Sequence, residues 1–272
     1  MEIFKKYKLL LPLLICLAIT LVLGVILLLP MSEADPGEGR ETDTQTESET
    51  EECPDMTLEF ATDLSAYEDY MNPEAGSFLL LVNKTHPLAS TYEPTDTVKV
   101  KDVRQNETRN LLLDRTAEMA LEAMFIEMRA AGFKNVFVTS AHRSYEYQYR
   151  LFFETYLPQE MAANPFLSRE EAIEKVLRYS AYPGTSEHQT GLCVDLMTHN
   201  MSDLDESFAD EPVYAWLLEN AWKFGFILRF PEDKTEITGY DFEPWHYRFV
   251  GRADAYAIAS RGLCLEEYLA DK

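Results

Sequence analysis

The stretch PGTSEHQTGLCVD, residues 183–195, contains one histidine and one aspartate, His188 and Asp195, in a polar setting. Gly191 allows the chain to turn between these two side chains. Asp195 has an aliphatic residue on each side, so it is expected to project from an apolar strand. There it could be solvated or paired with an arginine, and His188 could be an ordinary loop histidine. Because both are also metal ligands by type, the stretch predicts either a turn or half of a metal site.

A second histidine and carboxylate occur together in FEPWHYRFV, residues 242–250, as Glu243 and His246. Two histidines and one carboxylate leave one position of a zinc ion open, which is typical of a catalytic site. A further carboxylate outside the coordination sphere could serve as general base. On a regular strand Glu243 and His246 would face opposite sides, unless Pro244 breaks that regularity. The residues therefore leave two interpretations open: a catalytic zinc site, or side chains with ordinary structural roles.

Outward from these stretches, three segments have the periodicity and capping residues of helices. DRTAEMALEAMFIEMRAAG, residues 114–132, begins with an aspartate N-cap candidate and ends at a glycine. Ser168-Arg-Glu-Glu171 is a capping-box pattern that opens a second helix. A third helix is predicted near 211–223, with a proline in its first turn and Gly225 after it.

Four short runs rich in apolar, β-branched or aromatic residues predict strands at 78–83, 135–140, 225–230 and 242–250. Pro244 would place the last of these at an edge or a bulge. Helices and strands alternate irregularly along the chain. This predicts an α+β fold with a small, mainly antiparallel sheet flanked by helices.

The N-terminal fifth of the chain, residues 1–56, has a different composition. Three lysines precede LLLPLLICLAITLVLGVILLL, residues 9–29, which has no charge and is long enough to span a bilayer. We predict a cytoplasmic tip and transmembrane anchor over 1–31, a disordered acidic linker over 32–56, and a folded domain over 57–272 that contains the candidate site. The lysines orient the N-terminus towards the cytoplasm, so the protein would be a single-pass membrane protein with its domain extracellular. A cleaved signal peptide is the competing interpretation.

The charge balance restricts the possible partners. The formal net charge is −23, and no lysine- or arginine-rich run extends beyond the short one at the start. Nucleic-acid binding is therefore not expected, because it requires clustered cations that neutralise phosphates. An acidic domain is compatible with binding a divalent cation.

Four segments, in order, resemble the VanY-like D-alanyl-D-alanine carboxypeptidases, a zinc peptidase family with a LAS-type fold. They are LLVNKTHPL (80–88), SAHRSYEYQ (140–148), PGTSEHQTGLCVDL (183–196) and ITGYDFEPWHYRFVG (237–251). The third matches the pattern S-x-H-x-x-G-x-[small]-x-D, and the fourth matches E-x-W-H-x-R. The resemblance covers about residues 75–268 and implies the same α+β fold.

The resemblance implies a role for each matched position. His188, Asp195 and His246 would be the ligands of one Zn²⁺ ion per chain, and Glu243 would be the general base. Arg143 would engage the substrate and stabilise the developing oxyanion. The remaining matched positions would bind the substrate or shape its pocket: Ser144, Gln148 and Ser186.

Two positions depart from the family pattern. Ala141-His142 replaces the usual Gly-Tyr before the arginine, so His142 could alter substrate preference. Cys193 replaces a common alanine before the aspartate, where a thiol is small enough to pack equally well.

The resemblance implies an extracytoplasmic zinc D,D-carboxypeptidase that removes the C-terminal D-alanine from peptidoglycan stem peptides or precursors. An L,D-carboxypeptidase that trims tetrapeptide stems is the alternative, because the same four motifs serve both activities. A zinc-containing wall-binding domain without turnover is a third possibility, which the retained general base and arginine disfavour. Protein partners are not indicated.

Overall fold

The computed structural model describes residues 58–272. The predicted transmembrane anchor, 1–31, and the predicted acidic linker, 32–56, lie outside the described residues. Within 58–272, no helix combines the length and the apolar composition that crossing a membrane requires.

Within residues 58–272, six short strands form two antiparallel sheets. The strands are β1 (Thr97–Lys99), β2 (Leu112–Asp114), β3 (Val136–Ser140), β4 (Cys193–Thr198), β5 (Phe226–Leu228) and β6 (His246–Phe249). Strands β1 and β2 pair with each other, whereas the larger sheet has the order β3-β4-β6-β5. These small antiparallel sheets confirm the predicted sheet type.

Helices of four to sixteen residues surround the sheets. They are α1 (Glu68–Met71), α2 (Arg115–Ala130), α3 (Tyr145–Arg150), α4 (Leu157–Ala163), α5 (Arg169–Val176), α6 (Pro212–Asn220), α7 (Thr235–Thr238), α8 (Arg252–Arg261) and α9 (Leu265–Ala270). A π-helical turn, Leu151–Tyr156, joins α3 to α4. The mixture of helices and strands confirms the predicted α+β class.

The helix ends form where the local sequence predicts them. The Asp114 side chain accepts hydrogen bonds from the backbone N–H groups at the start of α2. Ser168 and Glu171 form the predicted capping box of α5. Helix α6 begins at Pro212 and leads into a 3₁₀ turn that ends at Gly225, whose φ is +83°. These side chains satisfy backbone groups that a helix terminus leaves free, which is why the boundaries are readable from sequence.

The larger sheet separates two environments. On one face the apolar residues of α2 pack against side chains from all four strands, including Val138, Val194, Phe226 and Tyr247. Strand residues alternate between faces, so Asp195 and His246, each adjacent to one of these core residues, project to the opposite face. A smaller apolar cluster, formed mainly by α8 and α9, contains Ile227. The sheet therefore presents a polar strip beside two apolar regions.

Two strand predictions were wrong. Residues 78–83 form no strand, although Phe78 and Leu80 provide backbone oxygens that accept hydrogen bonds from Arg248 Nη2 at 2.9 Å. Pro244 precedes β6, and β6 is a central strand of the larger sheet, not an edge. The proline therefore sits where no ladder hydrogen bond is required of it.

Candidate active site

His188 is presented by a 3₁₀ turn, Glu187–Thr190, directly before β4. The turn ends at Gly191 with φ +70°, a conformation that side-chain-bearing residues rarely adopt, and the chain then enters the strand. The His188 Nδ1 atom lies 2.6 Å from the backbone oxygen of Ala141. An acceptor at this distance keeps the proton on Nδ1, so Nε2 is free to bind a cation.

Strand pairing brings Asp195 and His246 together. Asp195 of β4 lies directly opposite His246 of β6 in the antiparallel register, so both side chains project from the same face. Both side chains are buried. The alternative that Asp195 is solvated is therefore wrong, and the structure places it against two histidines.

The three predicted ligands converge. His188 Nε2 lies 3.1 Å from Asp195 Oδ2, and His246 Nδ1 lies 3.1 Å from Asp195 Oδ1. Within the described residues, neither His188 Nε2 nor Asp195 Oδ1 has a partner in hydrogen-bond geometry. Donor atoms about 2.0–2.1 Å from a tetrahedral zinc ion lie about 3.4 Å from one another. These separations and unpartnered atoms therefore fit a zinc ion.

Cys193 is a fourth potential donor. One ligand atom from each of His188, Cys193 and His246 lies within 4.8 Å of the other two. The oxygens of Asp195 lie 3.1 Å from a ring nitrogen of each histidine, and two histidines with one carboxylate are a common ligand set of catalytic zinc. The Cys193 side chain is buried and not in a disulfide, in agreement with the small packing role predicted for it.

The ligand cluster stabilises positive charge. Burial opposes ionisation of Asp195, but His188 and His246 hold its pKa well below its usual range. Burial and Arg143 disfavour protonated His188, yet Asp195 and Cys193 outweigh them and raise its pKa to about 9. A buried carboxylate that stabilises protons on two imidazoles would also stabilise a divalent cation that replaces those protons.

Glu243 lies beside the cluster, just before β6. Its Oε2 is 3.4 Å from His246 Nδ1, because the chain turns between them and the His246 N–H donates to the Glu243 backbone oxygen. The opposite-sides arrangement of a regular strand does not apply, since Glu243 is outside the strand. Burial raises the pKa of Glu243 to about 7, against the opposing effect of His246. A carboxylate that titrates near neutral pH suits proton transfer.

Two adjoining cavities open onto this cluster. One, of about 390 Å³, is lined by His188, Asp195, Glu243 and His246, and the other, of about 630 Å³, extends past Ser144. Arg143 lines both cavities. Its Nε atom is buried and has no hydrogen-bond partner in the part of the chain that the structure describes. A free guanidinium edge is therefore available where the two cavities meet.

The other predicted substrate residues occupy different places. Ser186 is buried and lines the smaller cavity. Ser144 lines the larger one, where its Oγ accepts the backbone N–H of Tyr147 and caps α3. Gln148 is buried below the wall of the smaller cavity, and its Nε2 donates to the backbone oxygen of Ala181 at 2.8 Å. Its placement supports the cavity wall.

His142, one of the two departures from the family pattern, lines the larger cavity. Its Nε2 lies 3.4 Å from Glu93 Oε2. Burial lowers the pKa of His142, so its ring is mostly neutral at pH 7. It adds a polar side chain to the larger cavity, whose lining also includes the predicted ligand Asp195.

A buried ionic network behind His246 was not predicted from the sequence. Glu187 accepts hydrogen bonds from Arg229 Nε at 2.7 Å and from Arg248 Nη1 at 2.9 Å. Arg229 also pairs with Glu266, at 2.8 and 2.7 Å. Burial opposes ionisation of Glu187, but the two guanidinium groups hold its pKa well below its usual range. The local signals were the position of Glu187 next to His188 and the arginine of the E-x-W-H-x-R pattern, Arg248, and neither identifies its partners.

Comparison with known proteins identifies the family. Residues 110–252 match the family model described as VanY, D-alanyl-D-alanine carboxypeptidase. The chain belongs to the VanY family. The D-alanyl-D-alanine carboxypeptidase of Enterococcus faecalis is 39% identical over 191 residues, which cover 70% of this chain and 65% of that protein. The predicted resemblance to VanY-like enzymes is thus confirmed.

Solved structures of VanY-like enzymes have the same fold. The LD-carboxypeptidase LdcB is 35% identical, covers 70% of this chain and 84% of its own, and superposes with a TM-score of 0.60. A mutant of the vancomycin resistance D,D-pentapeptidase VanY, solved in complex with Zn(II), is 36% identical to this chain. The match covers 71% of this chain and 98% of the solved chain, with a TM-score of 0.57. A VanY enzyme therefore binds zinc, and the ligand cluster of this chain fits the same ion.

Proposed function

We propose that this protein is a zinc-dependent D,D-carboxypeptidase that removes the C-terminal D-alanine from peptidoglycan stem peptides. The observation that carries the proposal is the convergence of His188, Asp195 and His246, with Glu243 beside them, on the wall of an open cavity. Family membership supports the reaction and the substrate class.

In this proposal His188 Nε2, an Asp195 oxygen and His246 Nδ1 would hold the zinc ion. Zinc, when bound, supplies Lewis-acid chemistry that polarises a carbonyl and acidifies water. Each of the three ligands comes from a rigid element or a turn directly attached to one, so the donor positions are set before a substrate binds.

Glu243 is proposed to move the proton. The oxygen of a water molecule bonds to the carbonyl carbon before the terminal D-alanine, and Glu243 accepts the proton that this water loses. The peptide C–N bond then breaks, and Glu243 returns the proton to the amine nitrogen of the departing D-alanine. Its position at the cavity wall, beside His246, is where this transfer is needed.

Arg143 is proposed to act on the substrate at the same time. Its buried Nε, which has no partner among residues 58–272, lies where the two cavities meet, so the guanidinium can donate to an oxygen of the substrate. A donor that is already oriented stabilises the negative charge that develops on the carbonyl oxygen. Ser186 and Ser144 would contact substrate on the two sides of Arg143, and Gln148 would hold the wall that includes Ala181.

The variant Glu243→Gln tests the proposed base. It should lower kcat by roughly 10²–10⁴-fold on a pentapeptide ending in D-Ala-D-Ala, while the protein still binds one zinc per chain. Glu236→Gln, which removes an exposed carboxylate from the nearby helix α7, is the matched control and should remain fully active. Full activity of Glu243→Gln would refute the assignment of the base. Removal of zinc by a chelator should abolish hydrolysis in both the control and the wild-type protein.

An L,D-carboxypeptidase is the second candidate, because LdcB, an LD-carboxypeptidase, has a similar structure. Incubation of the purified protein with muropeptide pentapeptides and tetrapeptides, followed by mass spectrometry, separates the two activities. Loss of 71 Da from the tetrapeptide alone, the mass of one alanine residue, would favour L,D specificity. Zinc-dependent peptide binding with no released alanine would instead indicate a non-catalytic wall-binding domain.

We further propose that the enzyme is anchored in the cell membrane with residues 57–272 outside. The uncharged stretch 9–29, the lysines before it and the acidic stretch after it support this orientation. Extracytoplasmic placement would also give the site access to mature peptidoglycan. Membrane fractionation with protease added to intact cells tests the topology, and a soluble secreted protein would point to a cleaved signal peptide.

A further inference from the structure

The two ring nitrogens of His246 face different surroundings. Its Nδ1 faces the ligand cluster, 3.1 Å from Asp195 Oδ1 and 3.4 Å from Glu243 Oε2. Its Nε2 points the other way and lies 3.7 Å from Glu187 Oε2. A histidine that binds a metal through one nitrogen carries a proton on the other, and that proton needs an acceptor.

Glu187 has one oxygen free for this purpose. Arg229 and Arg248 both donate to its Oε1, at 2.7 and 2.9 Å. In the described residues, Glu187 Oε2 and His246 Nε2 are both buried without a hydrogen-bond partner. If Glu187 only neutralised the two arginines, there would be no reason for its second oxygen to face an unpartnered imidazole nitrogen.

The network around Glu187 can hold this oxygen in place. Glu187, Arg229 and Arg248 are all buried, so their mutual attraction is little screened by water. Glu266 completes the charge balance by pairing with Arg229, so two carboxylates face two guanidinium groups. A side chain fixed by two ion pairs loses little further freedom when it accepts one more hydrogen bond.

The second ring nitrogen of His188 has a different kind of acceptor. Its Nδ1 has a backbone acceptor, the oxygen of Ala141, at 2.6 Å. The His246 Nε2 atom has no hydrogen-bond partner, backbone or side chain, in the described part of the chain. Of the two histidines, His246 is therefore the one whose orientation depends on a side chain.

We propose that Glu187 is a positioning residue for catalysis: its Oε2 accepts the His246 Nε2–H and so selects Nδ1 as the metal-binding atom. This inference rests on the proposed function, because it presupposes that His246 binds zinc. Glu187 touches neither substrate nor metal in this role. Its effect on turnover passes through the orientation and basicity of His246.

The test compares Glu187→Gln with Glu266→Gln in the full-length protein. Both remove one carboxylate from Arg229, but only Glu187 faces His246. The Glu187→Gln amide would have to turn its oxygen to the arginines and an N–H towards the imidazole N–H. Zinc affinity, measured by competition with a chromogenic chelator, should fall by about 10–100-fold in Glu187→Gln. It should change less than about threefold in Glu266→Gln.

If Glu187→Gln does not fold, a measurement on the wild-type protein tests which ring nitrogen of His246 binds the metal. In the zinc-loaded protein with ¹⁵N-labelled histidine, NMR should show His246 protonated at Nε2 and metal-bound at Nδ1. Metal at Nε2, or equal zinc affinities for the two variants, would overturn the inference alone. Failure of the wild-type protein to bind zinc would overturn the proposed function as well.

Discussion

The carboxyl group of Glu118 is buried in α2, and its replacement by glutamine should change how stability depends on pH. Glu118 is 2% exposed; its Oε1 accepts the backbone N–H of Lys101 at 3.1 Å, and its Oε2 has no partner in residues 58–272. Burial raises its pKa from 4.5 to about 8, and the nearby carboxylates of Asp102 and Glu122 add to this effect. The folded protein therefore prefers the neutral carboxylic acid.

The direction of the pH dependence follows from linkage. Below pH 4.5 Glu118 is neutral in both states, so its favourable contribution to stability is fully present. Between 4.5 and about 8 only the unfolded chain ionises at this position, and the free energy of unfolding falls by about 1.4 kcal/mol per pH unit. From pH 5 to pH 8 the loss is on the order of 2–4 kcal/mol, allowing for partial relaxation around the carboxylate.

Glu118→Gln keeps the shape and the Lys101 hydrogen bond but cannot ionise. The difference in unfolding free energy between Glu118→Gln and the wild-type protein should therefore grow in favour of the variant between pH 5 and pH 8. Urea unfolding followed by circular dichroism at both pH values measures this difference. Glu122→Gln, on the same helix but half-buried and paired with Lys101, is the control. Parallel pH profiles for Glu118→Gln and the wild-type protein would refute the reasoning.

Substitutions at three further positions test the packing and capping of the domain, each by thermal unfolding against the wild-type protein. Gly225→Ala should destabilise by more than about 2 kcal/mol, because a Cβ there would lie 2.6 Å from the Phe249 ring on a backbone with φ +83°; an unchanged Tm would contradict this. Asp114→Ala should cost about 1 kcal/mol by removing the cap of α2, and Asp114→Asn should recover most of it. Tyr247→Phe should be neutral or stabilising by about 1 kcal/mol, since the buried Tyr247 hydroxyl has no partner in the described residues; a marked loss would indicate an unrecognised hydrogen bond.

Local sequence signals predicted the helix boundaries well. The periodicity of 114–132 and the capping residues at 114 and 168 depend on contacts within a few positions, and α2 and α5 form accordingly. An apolar run is less informative, as 78–83 shows. Two of its backbone oxygens, those of Phe78 and Leu80, are satisfied by Arg248, a residue far away in the chain, and need no strand partner.

The candidate site was predicted only through the resemblance of four separated motifs. From the residues alone, Asp195 could have been solvated, and Glu243 and His246 could have faced opposite sides of a strand. The β4–β6 register places Asp195 opposite His246, and the start of β6 at His246 leaves Glu243 on a turn beside it. Strand register is a property of the whole sheet, so no single stretch contains it.

The sequence by itself determined the helix caps, the fold class, the family and the residue types available for a zinc site. Only the tertiary structure decided that Glu187 meets Arg229 and Arg248 behind His246, and that Glu243 is buried enough to titrate near neutral pH. The physical reason is the distance along the chain between the residues that interact. Caps and periodicity depend on neighbours along the chain, whereas burial and ion pairing depend on side chains that only folding brings together.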